Sequence, residues 1–254
     1  MSYQDPFPLT AGIYDQTSRF VPYDIWAGVI QEMLDLHAHQ SPSTVLELSA
    51  GTGSFRSFFD RPEIKSYVST DISLMMLQGA QMKMADSGQH SFFTVADSEL
   101  LPFASDRFDL VLHLFDSINY HITTDRVRAV FSEVCRVLRP GGLYIFDFTT
   151  PANSINNAPE DFDEIIEDES GGYQRLSVYN PETGIHTTEF RFNRGHDIFT
   201  EFHRERPYKL PEMKEIIRSV TGWAAEAWIH EFEPGVKARN NSERIHAIIR
   251  KKPC

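Results

Sequence analysis

Apolar positions change their period along the chain, and each change marks an element. "PYDIWAGVIQEMLDLHAH" carries Ile25, Trp26, Val29, Ile30, Met33, Leu34 and Leu36 at the spacing of an amphipathic helix, which "SPS" ends. "TVLEL" is a short continuous apolar run that reads as a buried strand, and "GTGSFRSFF" reads as a turn entering a helix. "SYVSTDIS" reads as a second strand, and Asp71 or Ser73 is placed to cap the helix "LMMLQGAQMKMA" that follows. "SFFTVAD" and "FDLVLHLF" read as third and fourth strands, "TTDRVRAVFSEVCRVLRPGG" as a helix closed by Pro140 and two glycines, and "LYIFDFTT" as a fifth strand.

Short apolar strands alternating with helices specify a parallel sheet covered on both faces. Such sheets bind ligands beyond the carboxyl ends of their strands, where strand order reverses, so the residues just after each strand carry the interest. After residue 150 the texture changes. "PANSINNAPEDFDEIIEDESGG" is acidic and polar, most strongly at 160–169, and reads as a loop with a short helical piece, followed by "YQRLSVYN", "GIHTTEFRFN" and "DIFTEFHRERPYKL", an antiparallel three-stranded meander. "PEMKEIIRSV" reads as a helix with Pro211 at its start, and "WAAEAWIHEFE" and "SERIHAIIRKK" as two closing strands.

Bulk properties narrow the partners. The 254 residues, 41% hydrophobic, suffice for one well-buried domain with an embellishment. A net charge of −12 without a basic run beyond "Arg250-Lys251-Lys252" argues against nucleic acid, whose binding draws on a basic face. Cys135 and Cys254 make neither a disulfide framework nor a zinc site, and no metal-ligand constellation is evident. No apolar stretch approaches the ~20 residues of a membrane span, and "MSYQDPFPLT" lacks a signal peptide's basic and apolar segments. A cytoplasmic location is the expectation.

The turn "Gly51-Thr52-Gly53" directly follows the first strand. Two glycines flanking a small residue let backbone N–H groups approach a ligand closely. Arg56 stands where a dinucleotide fingerprint needs a small third residue, which disfavours a nicotinamide cofactor and an oxidoreductase. Asp71, eighteen residues after Gly53, ends the second strand and is suited either to both hydroxyls of a ribose or to capping the next helix. Asp97 ends the third strand and is suited to an adenine amine or to forming a turn.

Together "VLELSAGTG", "VSTDIS", "VADSELLPFASDRFDLVL" and "VCRVLRPGGLYIFDF" resemble the class I S-adenosylmethionine-dependent methyltransferases across residues 41–150. "YDQTSRFVPYDIW", "FDSINY" and "EFHRERPY" resemble their small-molecule branch, which includes relatives of the glycine and aminosugar N-methyltransferases. The resemblance implies a doubly wound α/β fold with a seven-stranded, mostly parallel sheet. It divides the chain into an N-terminal helical lid (1–40), a core (41–150 and 208–254), and an acidic loop with antiparallel cap (151–207). It implies S-adenosylmethionine as cofactor, S-adenosylhomocysteine as product, and a small-molecule amine or hydroxyl as acceptor. The alternative is a non-catalytic module that binds the same ligands and regulates a partner.

By the same resemblance, Glu47 lies near the methionine amino group, Gly51 and Gly53 line the methionine and ribose, and Asp71 takes the ribose hydroxyls. Ile72 packs on adenine, and Asp97 with Ser98 holds its amine. Ser49 departs from the glycine usual at its position, where positive φ is expected. Tyr14, Tyr23 and Trp26 lie on the implied lid, which closes over the methionine end, so that Tyr23 and Trp26 count with Ser49 among the cofactor-binding candidates. For catalysis the candidates are Asp116, as acceptor of an amine's proton, His113, His203 and Tyr14. The Pro-Pro-Tyr motif of enzymes that methylate planar amide-like nitrogens is absent, with "DSIN" in its place.

Overall fold

The computed structural model describes residues 5–87, 91–157, 164–166, 172–194 and 197–253. Cys254 and most of the acidic stretch 160–169 lie outside them.

The chain begins with a short helix, α1 (Tyr14–Thr17), and α2 (Tyr23–His37). Strands β1 (Thr44–Leu48), β2 (Ser66–Asp71), β3 (Phe92–Val95), β4 (Phe108–His113) and β5 (Leu138–Thr149) follow, with α3 (Leu74–Ser87) before β3 and α4 (Thr124–Val137) before β5. Beyond α5 (Pro151–Asn157) come β6 (Glu164–Ile166), β7 (Tyr173–Asn180), β8 (Ile185–Arg194) and β9 (Asp197–Glu205), then α6 (Leu210–Ser219), β10 (Trp223–His230), β11 (Glu233–Lys237) and β12 (Arg244–Lys251). The main sheet runs β11-β10-β12-β5-β4-β1-β2-β3, and β6-β7-β8-β9 form a separate antiparallel sheet. Pairing is parallel from β3 through β5, while β12 lies antiparallel to both β5 and β10. Strand order reverses between β1 and β4.

Alternation within the strands builds two cores. Val45, Leu110, Leu112, Ile145 and Ile248 face α2, which buries Trp26, Ile30, Met33 and Leu34 against them. Leu46, Val111, Tyr144, Phe146, Ile245 and Ile249 face α4 and α6. In α4 the apolar positions Val127, Val130, Phe131, Val134 and Val137 recur at helical spacing on one face, and Thr123 accepts a hydrogen bond from the Arg126 amide at 3.4 Å as N-cap. Among the described residues no helix is long and apolar enough to cross a membrane.

Four expectations need correction. The main sheet has eight strands, not seven: β11 pairs antiparallel with β10 at the sheet edge. Its "EPGVK" contains Pro234 and Gly235 and reads as a turn, but an edge strand tolerates a proline that donates no ladder hydrogen bond. The second sheet has four strands, because β6 joins β7 where a loop was expected. No helix follows the glycine turn, only one 3-10 turn at Phe55–Ser57. Pro62 disfavours helical backbone at Arg61 and leaves too little chain for a longer helix. Finally, α4 ends at Val137, and Pro140, Gly141 and Gly142 lie inside β5, where its register against β4 shifts.

Candidate active site

At the carboxyl ends of β1 to β4 lies a cavity of about 280 Å³. Ser49 and Gly51 line it after β1, Thr70, Asp71 and Ile72 at the end of β2, and Ala96, Asp97 and Ser98 after β3. Ser117, Tyr120 and His121 close it after β4, with Pro6, Phe7 and Tyr14 from the N-terminal segment and His203 from β9. Wider clefts of about 530 and 510 Å³ lie at the opposite, amino ends of the strands and contain none of these residues.

The glycine turn is shaped by left-handed backbone. Ser49, Gly51 and Gly53 have φ of 51°, 55° and 73°. A Cβ on Gly53 would stand 3.0 Å from Ala80 Cβ, so the turn sits hard against α3. A serine at positive φ is unusual, and a buried partner accounts for this one: Ser49 Oγ is 3.2 Å from His113 Nε2, while His113 Nδ1 is 3.0 Å from the Tyr144 hydroxyl. Burial, reinforced by His121, pushes the His113 pKa down to about 3, so its ring is neutral, with one nitrogen donating and one accepting. Ser49→Ala keeps the backbone cost and removes the bond, and is expected to destabilise the protein by about 1–3 kcal/mol. Ser49→Gly relieves about 1–2 kcal/mol of left-handed backbone cost and offsets much of that loss. Thermal unfolding should rank alanine below glycine; an alanine variant as stable as the parent would show that the His113 bond contributes nothing.

Asp71 is the hub. Its Oδ2 accepts the Gly51 amide at 2.9 Å and its Oδ1 the Ser73 amide at 2.8 Å, while Ser73 Oγ caps α3 through the Met76 amide at 3.1 Å. A carboxylate offers about four lone-pair sites, so acceptance from ribose hydroxyls is compatible with the turn that the same group holds. Asp97 Oδ1 accepts the Glu99 amide at 2.9 Å, and its other oxygen has no partner among the described residues. Ser98 Oγ is 3.1 Å from His121 Nε2, whose Nδ1 is 2.9 Å from Glu99 Oε1. Burial pushes the Asp71 carboxyl up to about 6. Only its anion accepts from two hydroxyls, so nucleoside affinity should fall as pH drops below about 6, approaching tenfold per pH unit. Calorimetry across pH 5–8 would show it, and a flat profile would separate Asp71 from the ligand.

Tyr120, His203 and Glu201 form a hydrogen-bonded chain whose first two members line the cavity. The Tyr120 hydroxyl is 3.0 Å from His203 Nδ1, and His203 Nε2 is 2.8 Å from Glu201 Oε1. Glu201 Oε2 accepts the Leu9 amide at 2.8 Å, and Thr10 Oγ1 donates to Oε1. Burial opposes the Glu201 charge, but the hydrogen bonds from His203, Thr10 and Leu9 hold its carboxyl below the usual range.

Other sequence candidates lie elsewhere. Tyr14 and Ser49 line both the cavity and a narrow recess that Tyr23 also lines. Trp26 packs in the core, 4.3 Å from Phe115, 4.9 Å from His246 and 5.0 Å from Phe232 between ring centres. Glu47 turns toward α2, where its Oε2 accepts the Tyr67 hydroxyl at 2.9 Å and burial pushes it up to about 7. Asp116 follows Phe115, and both have positive φ, 49° and 61°. The Asp116 carboxylate binds Arg244 Nη1 at 3.0 Å, the same nitrogen that donates to buried Asp147, so it anchors the β4 turn to β12. Sequence reading missed Glu201 and Arg244. The alternation in "TEFHRE" was the available signal for the first.

Known proteins place the chain. Residues 45–142 match the family described as "Methyltransferase domain". The chain is 30% identical to "Putative methyltransferase GWCH70_2453" of Geobacillus sp. (strain WCH70), over 94% of this chain and 96% of that one. It is 29% identical to "Putative methyltransferase YqeM" of Bacillus subtilis (strain 168), over 82% and 83%. A "Ubiquinone/menaquinone biosynthesis C-methyltransferase UbiE" of Saccharophagus degradans matches at 33%, over 55% and 58%. Among solved structures, an S-adenosylmethionine-dependent methyltransferase from Clostridium acetobutylicum superposes with a TM-score of 0.78 at 24% identity, covering 95% and 97%. CalS10 from Micromonospora echinaspora, an amino pentose methyltransferase solved with S-adenosylmethionine bound, superposes with 0.69 at 14%, covering 99% and 98%. The chain therefore belongs to the class I S-adenosylmethionine-dependent methyltransferases.

Proposed function

We propose that the enzyme transfers a methyl group to a small-molecule acceptor, at an amine or hydroxyl, by in-line displacement. The carrying observation is the Tyr120–His203–Glu201 chain, whose Tyr120 and His203 line the same cavity as Asp71 and Asp97. When bound, the cofactor supplies an electrophilic methyl group on a sulfonium that leaves as a neutral thioether. The protein's share is alignment, exclusion of water and handling of the acceptor's proton. In this reading Asp71 holds the ribose, Asp97 and Ser98 the adenine amine, and Ile72 the ring face. Ser49, Gly51 and Tyr14 enclose the methionine end. Tyr120 and His203 orient the acceptor, and Glu201 fixes the imidazole. Support for a small acceptor comes from His203, which brings the second sheet up to the cavity.

A second reading, transfer to carbon, draws on the similarity to the UbiE protein of Saccharophagus degradans. Labelled S-adenosylmethionine incubated with separate pools of amines, alcohols and quinols distinguishes them. Label in amines or alcohols, or as a methoxy group on a quinol, supports the proposal, and quinol label found by NMR only on ring carbon moves the enzyme to the second reading.

A further inference from the structure

We propose that His121 is the positioning residue that makes the adenine end of the cavity selective. It takes the Ser98 hydroxyl hydrogen, so that Ser98 only accepts from a base, and the site prefers a 6-amino purine to a 6-oxo one. The inference rests on the cofactor placement at Asp97 and Ser98 and deepens it. The turn after β3 builds this end. Asp97 Oδ1 accepts the Glu99 amide at 2.9 Å, and the Asp97 carbonyl accepts the Leu100 amide at 3.0 Å. Closed in this way, the turn presents Ser98 and Glu99 to His121, which follows the 3-10 turn Ser117–Tyr120. The His121 backbone is itself fixed: its amide donates to the Ile118 carbonyl at 3.2 Å, and its carbonyl accepts the Tyr208 hydroxyl. The buried ring lies between two partners, with Nε2 3.1 Å from Ser98 Oγ and Nδ1 2.9 Å from Glu99 Oε1. Ser98, His121 and Arg126 all line the cavity, and Arg126 Nε donates to the same Glu99 oxygen.

These contacts fix the direction of each hydrogen bond. Glu99 is paired with the Arg126 guanidinium and has only lone pairs to offer, so His121 Nδ1 bears a hydrogen. The charged and titratable groups around the ring are Glu99, Arg126 and Asp97, with His113 6.3 Å away between ring centres. Burial outweighs the Glu99 hydrogen bond and holds the His121 pKa below its ordinary value, so the ring is neutral and Nε2 is a bare acceptor. Ser98 Oγ has one hydrogen, and Nε2 takes it. What Ser98 presents to the cavity is then lone pairs alone. The second Asp97 oxygen, without a partner among the described residues, is an acceptor too. Two acceptors match the two N–H bonds of an adenine amine. A 6-oxo base brings a carbonyl instead, and Ser98 could donate to it only by leaving the buried Nε2 unpaired.

Calorimetry of the full chain with S-adenosylhomocysteine and with its 6-oxo analogue, S-inosylhomocysteine, tests this. The parent should favour the adenosyl ligand by at least about a hundredfold. His121→Phe frees the Ser98 hydroxyl to turn and should lower that ratio by about tenfold, chiefly through tighter binding of the inosyl ligand. His121→Gln should keep the ratio within about threefold of the parent's, because its amide nitrogen can donate to Glu99 while its oxygen accepts from Ser98. In a Ser98→Ala background neither substitution should change the ratio. A His121→Phe variant as selective as the parent overturns the inference and leaves the cofactor reading standing. So does a drop of equal size with and without Ser98, a glutamine variant no more selective than phenylalanine, or a parent that binds both ligands equally. Loss of S-adenosylhomocysteine binding in both His121 variants overturns it as well, by making His121 structural. A parent that binds neither ligand overturns the cofactor reading along with the inference.

Discussion

Asp71→Ala should weaken S-adenosylhomocysteine binding by roughly tenfold to a hundredfold. Hydrogen bonds to a charged group contribute about 1.5–3 kcal/mol, and each 1.4 kcal/mol is about a factor of ten. The loss has two sources. The ribose hydroxyls lose their acceptor, and the Gly51 and Ser73 amides lose the oxygens that now accept them at 2.9 and 2.8 Å. Asp71→Asn separates these, because the amide oxygen still accepts one backbone N–H while the charge is gone. Its affinity should fall between parent and alanine. Calorimetric titration measures all three, and an alanine variant within twofold of the parent would put the ribose elsewhere.

Arg244→Ala should be the most destabilising of the substitutions considered, by about 3–5 kcal/mol, because it leaves a buried charge without its partner. Asp147 is fully buried, its Oδ1 has no hydrogen-bond partner among the described residues, and the Arg244 guanidinium is the one cation paired with it among them. Asp147 Oδ2 also accepts the Asp116 amide at 2.9 Å, and Arg244 lies 5.3 Å over the Trp26 ring. The same residues hold Phe115 and Asp116 in left-handed backbone, so activity should fall with stability. Burial already raises the Asp147 carboxyl, against the pull of Arg244. Without Arg244 it rises further above its unfolded value. The variant's deficit should therefore shrink as pH falls toward the ordinary carboxylate range and widen as pH rises through the folded value. Thermal unfolding from pH 5 to pH 8 measures this, and a deficit independent of pH would assign it to lost packing on Trp26 instead.

The central sheet was legible because β1, β4 and the second half of β5 are largely apolar and helical patterns join the strands. The edges were not. Pro234 and Gly235 make β11 look like a turn, and only pairing with β10 makes it a strand. The absent helix after the glycine turn follows from Pro62, a local signal outweighed by the apolar Phe55, Phe58 and Phe59. The half of the site that lies just after strands was legible for the same topological reason: Ser49, Gly51, Asp71, Ile72, Asp97 and Ser98 all line one cavity. Trp26 shows the limit, since an aromatic at helical spacing looks alike in a lid and in a core. Asp116 shows another, because its partner Arg244 lies 128 residues away. Glu201 resembles a solvated strand face until His203 and the Leu9 and Thr10 segment pack on it.

The most direct test of the cofactor assignment is a crystal structure of the full chain with S-adenosylhomocysteine. The account predicts both ribose hydroxyls on the Asp71 carboxylate, the adenine amine at Asp97 and Ser98, and the sulfur facing Ser117, Tyr120 and His203. A nucleoside reversed in the cavity, or bound in one of the clefts at the amino ends of the strands, would contradict it.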